Sequence, residues 1–374
     1  MERAPSILLV GLGGAGCAMV TRLAPGLPAD IRVLRVDTDA RSVAEDGAAA
    51  VQIGRAQTRG MGTGGEPAVG AVAAEAEEPA LRRAFTGVPL VVLVTGLGGG
   101  TGSGASAVVA RQAADAGATV LAFATMPFSH EGERRMRQAN EGAVALGQKA
   151  HGLVLVHNDL LLQQVSNEAP LSESFAAADA WVGGALRALA AAFEPGALVP
   201  VDPAALRSIL ASPGSPTLFA YGVGAGPGAA ATAARAAGQC PLAHGPGAVT
   251  KVAALFVYVA GGPAMTSADA FEAVAAVRLR FGGETTTLLC ARIDPALGER
   301  VEVSVLGASL PAPKAAPKAR KGAKAADADQ PLFGFATEET LRRGLFGGTP
   351  MTFIEGQDVD VPTYIRKAVR LPAG

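Results

Sequence analysis

A chain of 374 residues, 49% of them apolar, can bury a sizeable core, and its length predicts about two domains plus a tail. A formal net charge of −1 argues against a globally nucleic-acid-binding surface, so no nucleic-acid partner is expected. Mean hydropathy is high at +0.30, but Ala and Gly enrichment explains it, and no uninterrupted apolar run reaches the ~18 residues of a membrane span. Even the apolar stretch 105–128 carries Arg111 and Asp115. Cys17, Cys240 and Cys290 lie far apart with no C-x-x-C spacing, which points to a reducing cytosol and a cytoplasmic protein. The start of the chain, Met1-Glu2-Arg3-Ala4-Pro5, runs into a strand-like segment and not into a secretory leader.

The first predicted strand, 7–10, leads into Gly11-Leu12-Gly13-Gly14-Ala15-Gly16 and a helix-like run over 17–23. Taken alone this fits the dinucleotide-binding fingerprint, and Asp37 stands about twenty residues on, where a ribose-binding acid belongs. A nicotinamide-dependent oxidoreductase is therefore one reading. Further strands are predicted over 32–36, 91–95, 119–125 and 153–157. Their alternation with helix-length segments predicts a parallel sheet of βαβ units. Continuous Val, Leu and Ile runs suit strands buried on both faces.

A second glycine cluster, Arg59-Gly60-Met61-Gly62-Thr63-Gly64-Gly65-Glu66-Pro67, and a third over 94–104 follow. The third holds six glycines in the nine residues 96–104, between an apolar run and a helix-like run over 105–116. A strand, a glycine loop and a helix in that order converge backbone N–H groups on an anion. Thr101 and Ser103 add hydroxyls there, and the Lys of the P-loop is absent. Three such loops at the ends of parallel strands can ring one polyphosphate, a need that an oxidoreductase does not have.

A long helix is predicted over 171–193, stopped by Pro195-Gly196. Strands over 218–221, 251–259, 285–292 and 300–306, with a helix over 267–279, predict a second, smaller α/β domain. Residues 310–330 are basic and Pro/Ala-rich, with Lys314, Lys318, Arg320, Lys321 and Lys324, and read as a disordered linker. Residues 331–374 regain Phe, Leu, Ile and Tyr.

The run Gly98-Gly99-Gly100-Thr101-Gly102-Ser103-Gly104 resembles the G-G-G-T-G-[ST]-G signature of the tubulin/FtsZ superfamily, which binds guanine nucleotide. The likeness to FtsZ spans almost the whole chain: 7–20, 36–40, 59–70, 94–104, 127–132, 157–161, Ser174-Phe175 with Asp179, and 201–210. It implies a Rossmann-like parallel-sheet GTP-binding domain (1–168), a long central helix (169–196), a second domain (197–310), a linker (311–330) and a tail (331–374). Subunits of such proteins stack head to tail into filaments for bacterial division, with GTP at each junction. The resemblance gives Gly13, Gly14 and Gly16 to a first phosphate loop and Gly64 and Gly65 to a loop near the γ-phosphate. It gives Gly98, Gly99, Gly100, Thr101, Gly102, Ser103 and Gly104 to the phosphate-binding signature. Glu131 and Arg135 correspond to ribose- and phosphate-side contacts. Asn158, Phe175 and Asp179 correspond to guanine recognition, Phe175 by stacking and Asp179 by accepting the N1 and N2 donors. GTP or GDP, with Mg²⁺ accompanying the nucleotide, is the implied ligand.

The chain departs from the family where a neighbouring subunit supplies the hydrolytic loop, N-x-D-x-x-D. Asp202 is retained as the one catalytic candidate, but Pro200 replaces the Asn and Ala205 the second Asp. A methyl group cannot orient water, so hydrolysis is expected to be slow or impaired. Cys17 and Ala18 stand where Asn is usual, so one polar contact to base or sugar is missing; Cys17 is read as a small buried thiol. Both losses suggest a divergent paralogue that co-assembles with another FtsZ or is regulated by it. Residues 353–367, acidic then Pro362 then apolar and basic, resemble the tail peptide that engages membrane tethers and division regulators. Localisation at the division site would follow.

Overall fold

The computed structural model describes residues 7–28, 31–44, 49–162, 171–193, 201, 203–209, 217–244, 249, 252–282, 285–309, 353–354 and 357–358. In chain order its first elements are β1 (Ile7–Leu12), α1 (Gly13–Leu23), β2 (Ile31–Asp37), β3 (Ala50–Gln52) and α2 (Arg55–Thr58). Next come α3 (Pro67–Ala76), α4 (Glu78–Phe85), β4 (Leu90–Gly96), α5 (Gly100–Asp115), β5 (Thr119–Met126), α6 (Glu133–Gly147), β6 (Gly152–His157) and α7 (Asn158–Leu162). All six strands are parallel, in the order β3-β2-β1-β4-β5-β6. This is the predicted Rossmann-like sheet. The crossover helices cover both faces, so β1 is buried at every residue and β4 at every residue but its last. Strand order reverses between β1 and β4, and the carboxyl ends of this pair open a crevice.

Both glycine loops are tighter than composition suggests. Helix α1 begins at Gly13 and α5 at Gly100, inside the glycine runs and four or five residues ahead of the predicted starts. Glycine disfavours helix by about 1 kcal/mol per residue, but tertiary approach decides here. A Cβ on Gly104 would stand 2.7 Å from the carbonyl carbon of Pro67, so α5 crosses α3 almost backbone to backbone. That crossing sets the loop over 62–66 beside the loop over 97–99.

The chain continues through α8 (Leu171–Phe193), α9 (Pro203–Ile209), β7 (Thr217–Ala225), α10 (Ala229–Gly238), β8 (Val252–Gly261), α11 (Ser267–Phe281), β9 (Thr286–Ile293) and β10 (Arg300–Ser309). These strands form a second sheet, β7-β10-β8-β9, in which β10 is antiparallel to β7 and β8 while β9 runs parallel to β8. Strand β7 runs past the predicted end at Tyr221 because Gly222 and Gly224 are not breakers here. They form the bed on which the Ala-rich α10 lies: a Cβ on Gly224 would come 2.7 Å from the Ala233 nitrogen.

Helix α8 packs Trp181, Val182, Leu186 and Leu189 into an apolar core continuous with one face of the first sheet and with the second sheet. Phe123 of β5 and Phe219 of β7 meet edge to face at 5.4 Å within it. Arg187 of α8 donates to the Tyr221 hydroxyl at 3.3 Å and pairs with Glu302 at 3.5 Å. Contacts gather residues Met1–Lys314 into one compact unit and Ala315–Gly374 into another. In the second unit, β11 (Phe353–Ile354) pairs antiparallel with β12 (Gln357–Asp358). The linker 311–330 and the remainder of the peptide 353–367 lie outside the described residues. Among the described residues no helix is long and apolar enough to cross a membrane.

Candidate functional site

The crevice at the β1/β4 reversal is a cavity of about 640 Å³. Two helices aim their N-termini into it, with Gly13, Gly14 and Gly16 of α1 and Gly99, Gly100, Thr101 and Gly102 at the start of α5 on its wall. First-turn amides without an intrahelical acceptor, together with the helix dipoles, make such a wall attractive to anions. The third wall is Gly62, Thr63, Gly64 and Gly65. Gly64 and Gly65 take positive φ, +63° and +85°, and no heavy atom lies within 4 Å of where a Cβ on either would stand. Gly99, at an ordinary negative φ, likewise has no heavy atom within 4 Å of that position. A cradle that a side chain would fill, walled by main-chain donors, fits a polyphosphate.

The remaining signature residues shape that wall from behind. Gly98, Ser103 and Gly104 do not line the cavity. Gly98 donates its N–H to the Ser103 hydroxyl at 2.8 Å, which ties the loop to the first turn of α5, and Gly104 serves the α3 crossing. The Thr101 hydroxyl is bonded to that of Thr38 at 2.7 Å, clamping α5 to the end of β2.

On the far rim Glu131 and Arg135 both line the cavity and form an ion pair, and Glu131 also accepts the Phe128 N–H at 2.8 Å. Asn158 reaches the wall from the start of α7. Asp179 stands on α8 next to the wall residue Ala178 but does not itself line the cavity. Arg22 lies on the wall and holds both of its oxygens, Nε to Oδ2 at 2.6 Å and Nη2 to Oδ1 at 2.9 Å. The side chain of Phe175 and all of Asp202 lie outside the described residues. Ala205, on α9, is half-buried and packs against the apolar core.

Cys17 is buried behind the α1 turn, its thiol donating to the Gly11 carbonyl at 3.3 Å. Burial, and then the charge of Asp37, push its pKa up to about 12, so it is an inert packing residue. Ala18, in contrast, does line the cavity. Sequence reasoning passed over Arg22, Asp39 and Phe128, all on the wall. A signal for Arg22 existed: Ala15, Ala18, Met19 and Arg22 fall at i, i+3, i+4 and i+7, one face of α1, and all four line the cavity. Asp39 pairs with Arg41 at 2.7 Å, which holds its carboxyl below the usual carboxylate range. Asp37 is on the wall at the end of β2, buried, and accepts the Thr38 N–H at 2.7 Å.

A family profile described as the Tubulin/FtsZ family, GTPase domain, matches residues 6–166. An empty FtsZ dimer from M. jannaschii is similar over 83% of this chain and 89% of its own, at 30% identity and a TM-score of 0.74. The chain belongs to the tubulin/FtsZ family. Two structures from Haloferax volcanii share the fold. CetZ2, a GTPgS-bound protofilament, has 21% identity and a TM-score of 0.65 over 81% of this chain and 92% of its own. CetZ1, a GDP-bound monomer, has 18% identity and a TM-score of 0.67 over 82% and 94%. Apart from Ala178 of α8, the cavity lining thus falls within the region matched as a GTPase domain, and the oxidoreductase reading of the first glycine loop is set aside. The glycine fingerprint is shared by both kinds of site; the second and third loops distinguish them.

Proposed function

We propose that the chain is a guanine-nucleotide-binding protein of FtsZ type that stacks head to tail into filaments of a bacterial cytoplasm. GTP or GDP lies at the subunit junctions, and hydrolysis is weakened. The observation that carries this reading is the main-chain cradle between α1, α5 and the 62–65 loop, open enough for a triphosphate. Gly13, Gly14, Gly16, Gly64, Gly65 and Gly99–Gly102 would hold the phosphates, with Glu131 on the ribose side and Arg135 on the phosphate side. Asn158, Phe175 and Asp179 would read the base. Among the described residues no group of three or more His, Cys, Asp or Glu stands together, so Mg²⁺ would take its ligands mainly from the triphosphate.

Asp202 of the next subunit would face the γ-phosphate. Without the second acid, at Ala205, attacking water loses a positioning group, a loss commonly worth about 10²–10⁴ in rate. The same substitution favours a second reading, a co-polymerising or non-polymerising regulator of a fully active FtsZ in division. The peptide 353–367 would tether either form to membrane-bound partners at the division site.

Light scattering and electron microscopy with GTP, GDP and no nucleotide test assembly, and GTP turnover is measured beside them. Filaments with GTP and slow turnover are expected, with faster turnover in the Ala205→Asp, Pro200→Asn double variant. Absence of filaments at any nucleotide favours the regulator. Wild-type turnover that climbs steeply with protein concentration and is not raised by the double variant overturns the impaired-loop reading.

A further inference from the structure

Arg22 presents Asp179 with two parallel N–H donors, one to each carboxylate oxygen. Arg22 is 45% exposed and lies on the cavity wall, whereas Asp179 is 17% exposed and stands behind it. A guanine edge offers the same pattern, because N1–H and the N2 amino group are the two arms of a cyclic guanidine. The fork of an arginine and the Watson–Crick edge of guanine are thus equivalent donors to one carboxylate, and Arg22 makes its contact from the cavity wall. Asp179 cannot give the same pair of lone pairs to both.

We infer that Arg22 is an internal competitor for the base: it fills Asp179 with the donor pattern of a guanine edge and releases the carboxylate when the nucleotide enters. This rests on the reading of Asp179 as the guanine acceptor. An ion pair with one half-exposed partner is weak enough to be exchanged at small cost. The exchange also conserves bonds, since two N–H donors leave the carboxylate and two arrive. The freed guanidinium stays charged and remains on the last turn of α1, beside a cavity into which the nucleotide brings negative charge. The contact therefore belongs to the nucleotide-free protein, and the loaded protein does without it.

Arg22→Lys keeps the charge and abolishes the fork; Arg22→Gln removes the charge as well. GDP affinity is measured by calorimetry on the full chain for wild type, both variants and Asp179→Asn. Thermal unfolding is then recorded for each without nucleotide and at GDP saturation. Arg22→Lys is expected to bind GDP about two- to fivefold tighter, the span of such an ion pair, with the gain shrinking as salt screens the wild-type contact. The variant should unfold earlier than wild type without nucleotide and together with it when saturated, which a static structural pair would not produce. GDP affinity equal to or weaker than wild type in both Arg22 variants, or equal destabilisation with and without GDP, overturns the inference. If Asp179→Asn leaves GDP affinity unchanged, the base reading itself fails. If that variant weakens GDP while Arg22→Lys does not tighten it, the competitor alone is wrong.

Discussion

At Cys17 a residue type that signals reactivity proves to be packing. The thiol stands one turn into a helix, yet it is 2% exposed and bonded to a carbonyl, and burial outweighs the helix N-terminus. Cys240 and Cys290 are buried as well, and burial raises both thiols, Cys290 to about 11. A thiol reagent at pH 8 is therefore expected to label native protein negligibly and to reach all three cysteines once urea unfolds it. Fast labelling of native Cys17 would show that the α1 turn opens. Glycines pose the complementary problem. The signature was legible as a phosphate loop, but composition cannot separate Gly64 and Gly65, which border open space, from Gly104, which touches a neighbouring helix. That difference lies in what stands opposite each Cα. Arg22 was overlooked for a similar reason: its partner Asp179 is 157 residues away in sequence.

Among the elements, the α3–α5 crossing positions two of the three cradle walls. Gly104→Ala places a methyl against Pro67, and overpacking of this kind costs about 1–3 kcal/mol. We expect the urea midpoint to fall and GDP affinity to weaken together, because the 62–65 loop moves with α3. An unchanged affinity would mean that the loop is held from elsewhere, for instance by the Arg134–Glu66 pair at 2.7 Å. Strands β1, β4 and β5 and helix α8 were legible, since long apolar runs or an amphipathic run identify them. Helix α10 (AAATAARAAG) was not expected, because its small residues give little contrast between faces and its burial depends on Gly222 and Gly224 of another element. Strand β3, three residues long, carries too little pattern to register.

For the molecule as a whole, the acid–base behaviour of the core sets the stability on the alkaline side. Cys17 and Tyr221 titrate near 12 in the folded chain and Cys290 near 11, above ordinary values of 9.0 for the thiols and 10.0 for the phenol. Burial is the first cause in each. These groups are neutral when protonated, so the unfolded chain releases their protons first. Stability is complete below about pH 8 and falls as pH rises through the unfolded thiol value of 9.0 toward the folded values. The slope is about 1.4 kcal/mol per pH unit for each group between its two pKa values. Urea titrations at pH 7, 8 and 10.5 should show equal midpoints for the first two and a lower one for the third. A flat profile to pH 10.5 would mean that these side chains are wetter than their packing implies. At this scale the two-sheet architecture was legible from the alternation of apolar runs, while the order β3-β2-β1-β4-β5-β6 depends on pairings among distant segments that no local pattern records.

The glycine walls of the cavity, made of peptide groups, offer no functional side chain to mutate away and none to titrate. On the proposed reading, a change such as the alanine at position 205 slows turnover while leaving that main-chain grip untouched. A scaffold gripping its fuel this way is free to evolve from a motor that spends the fuel into a gauge that reports its supply.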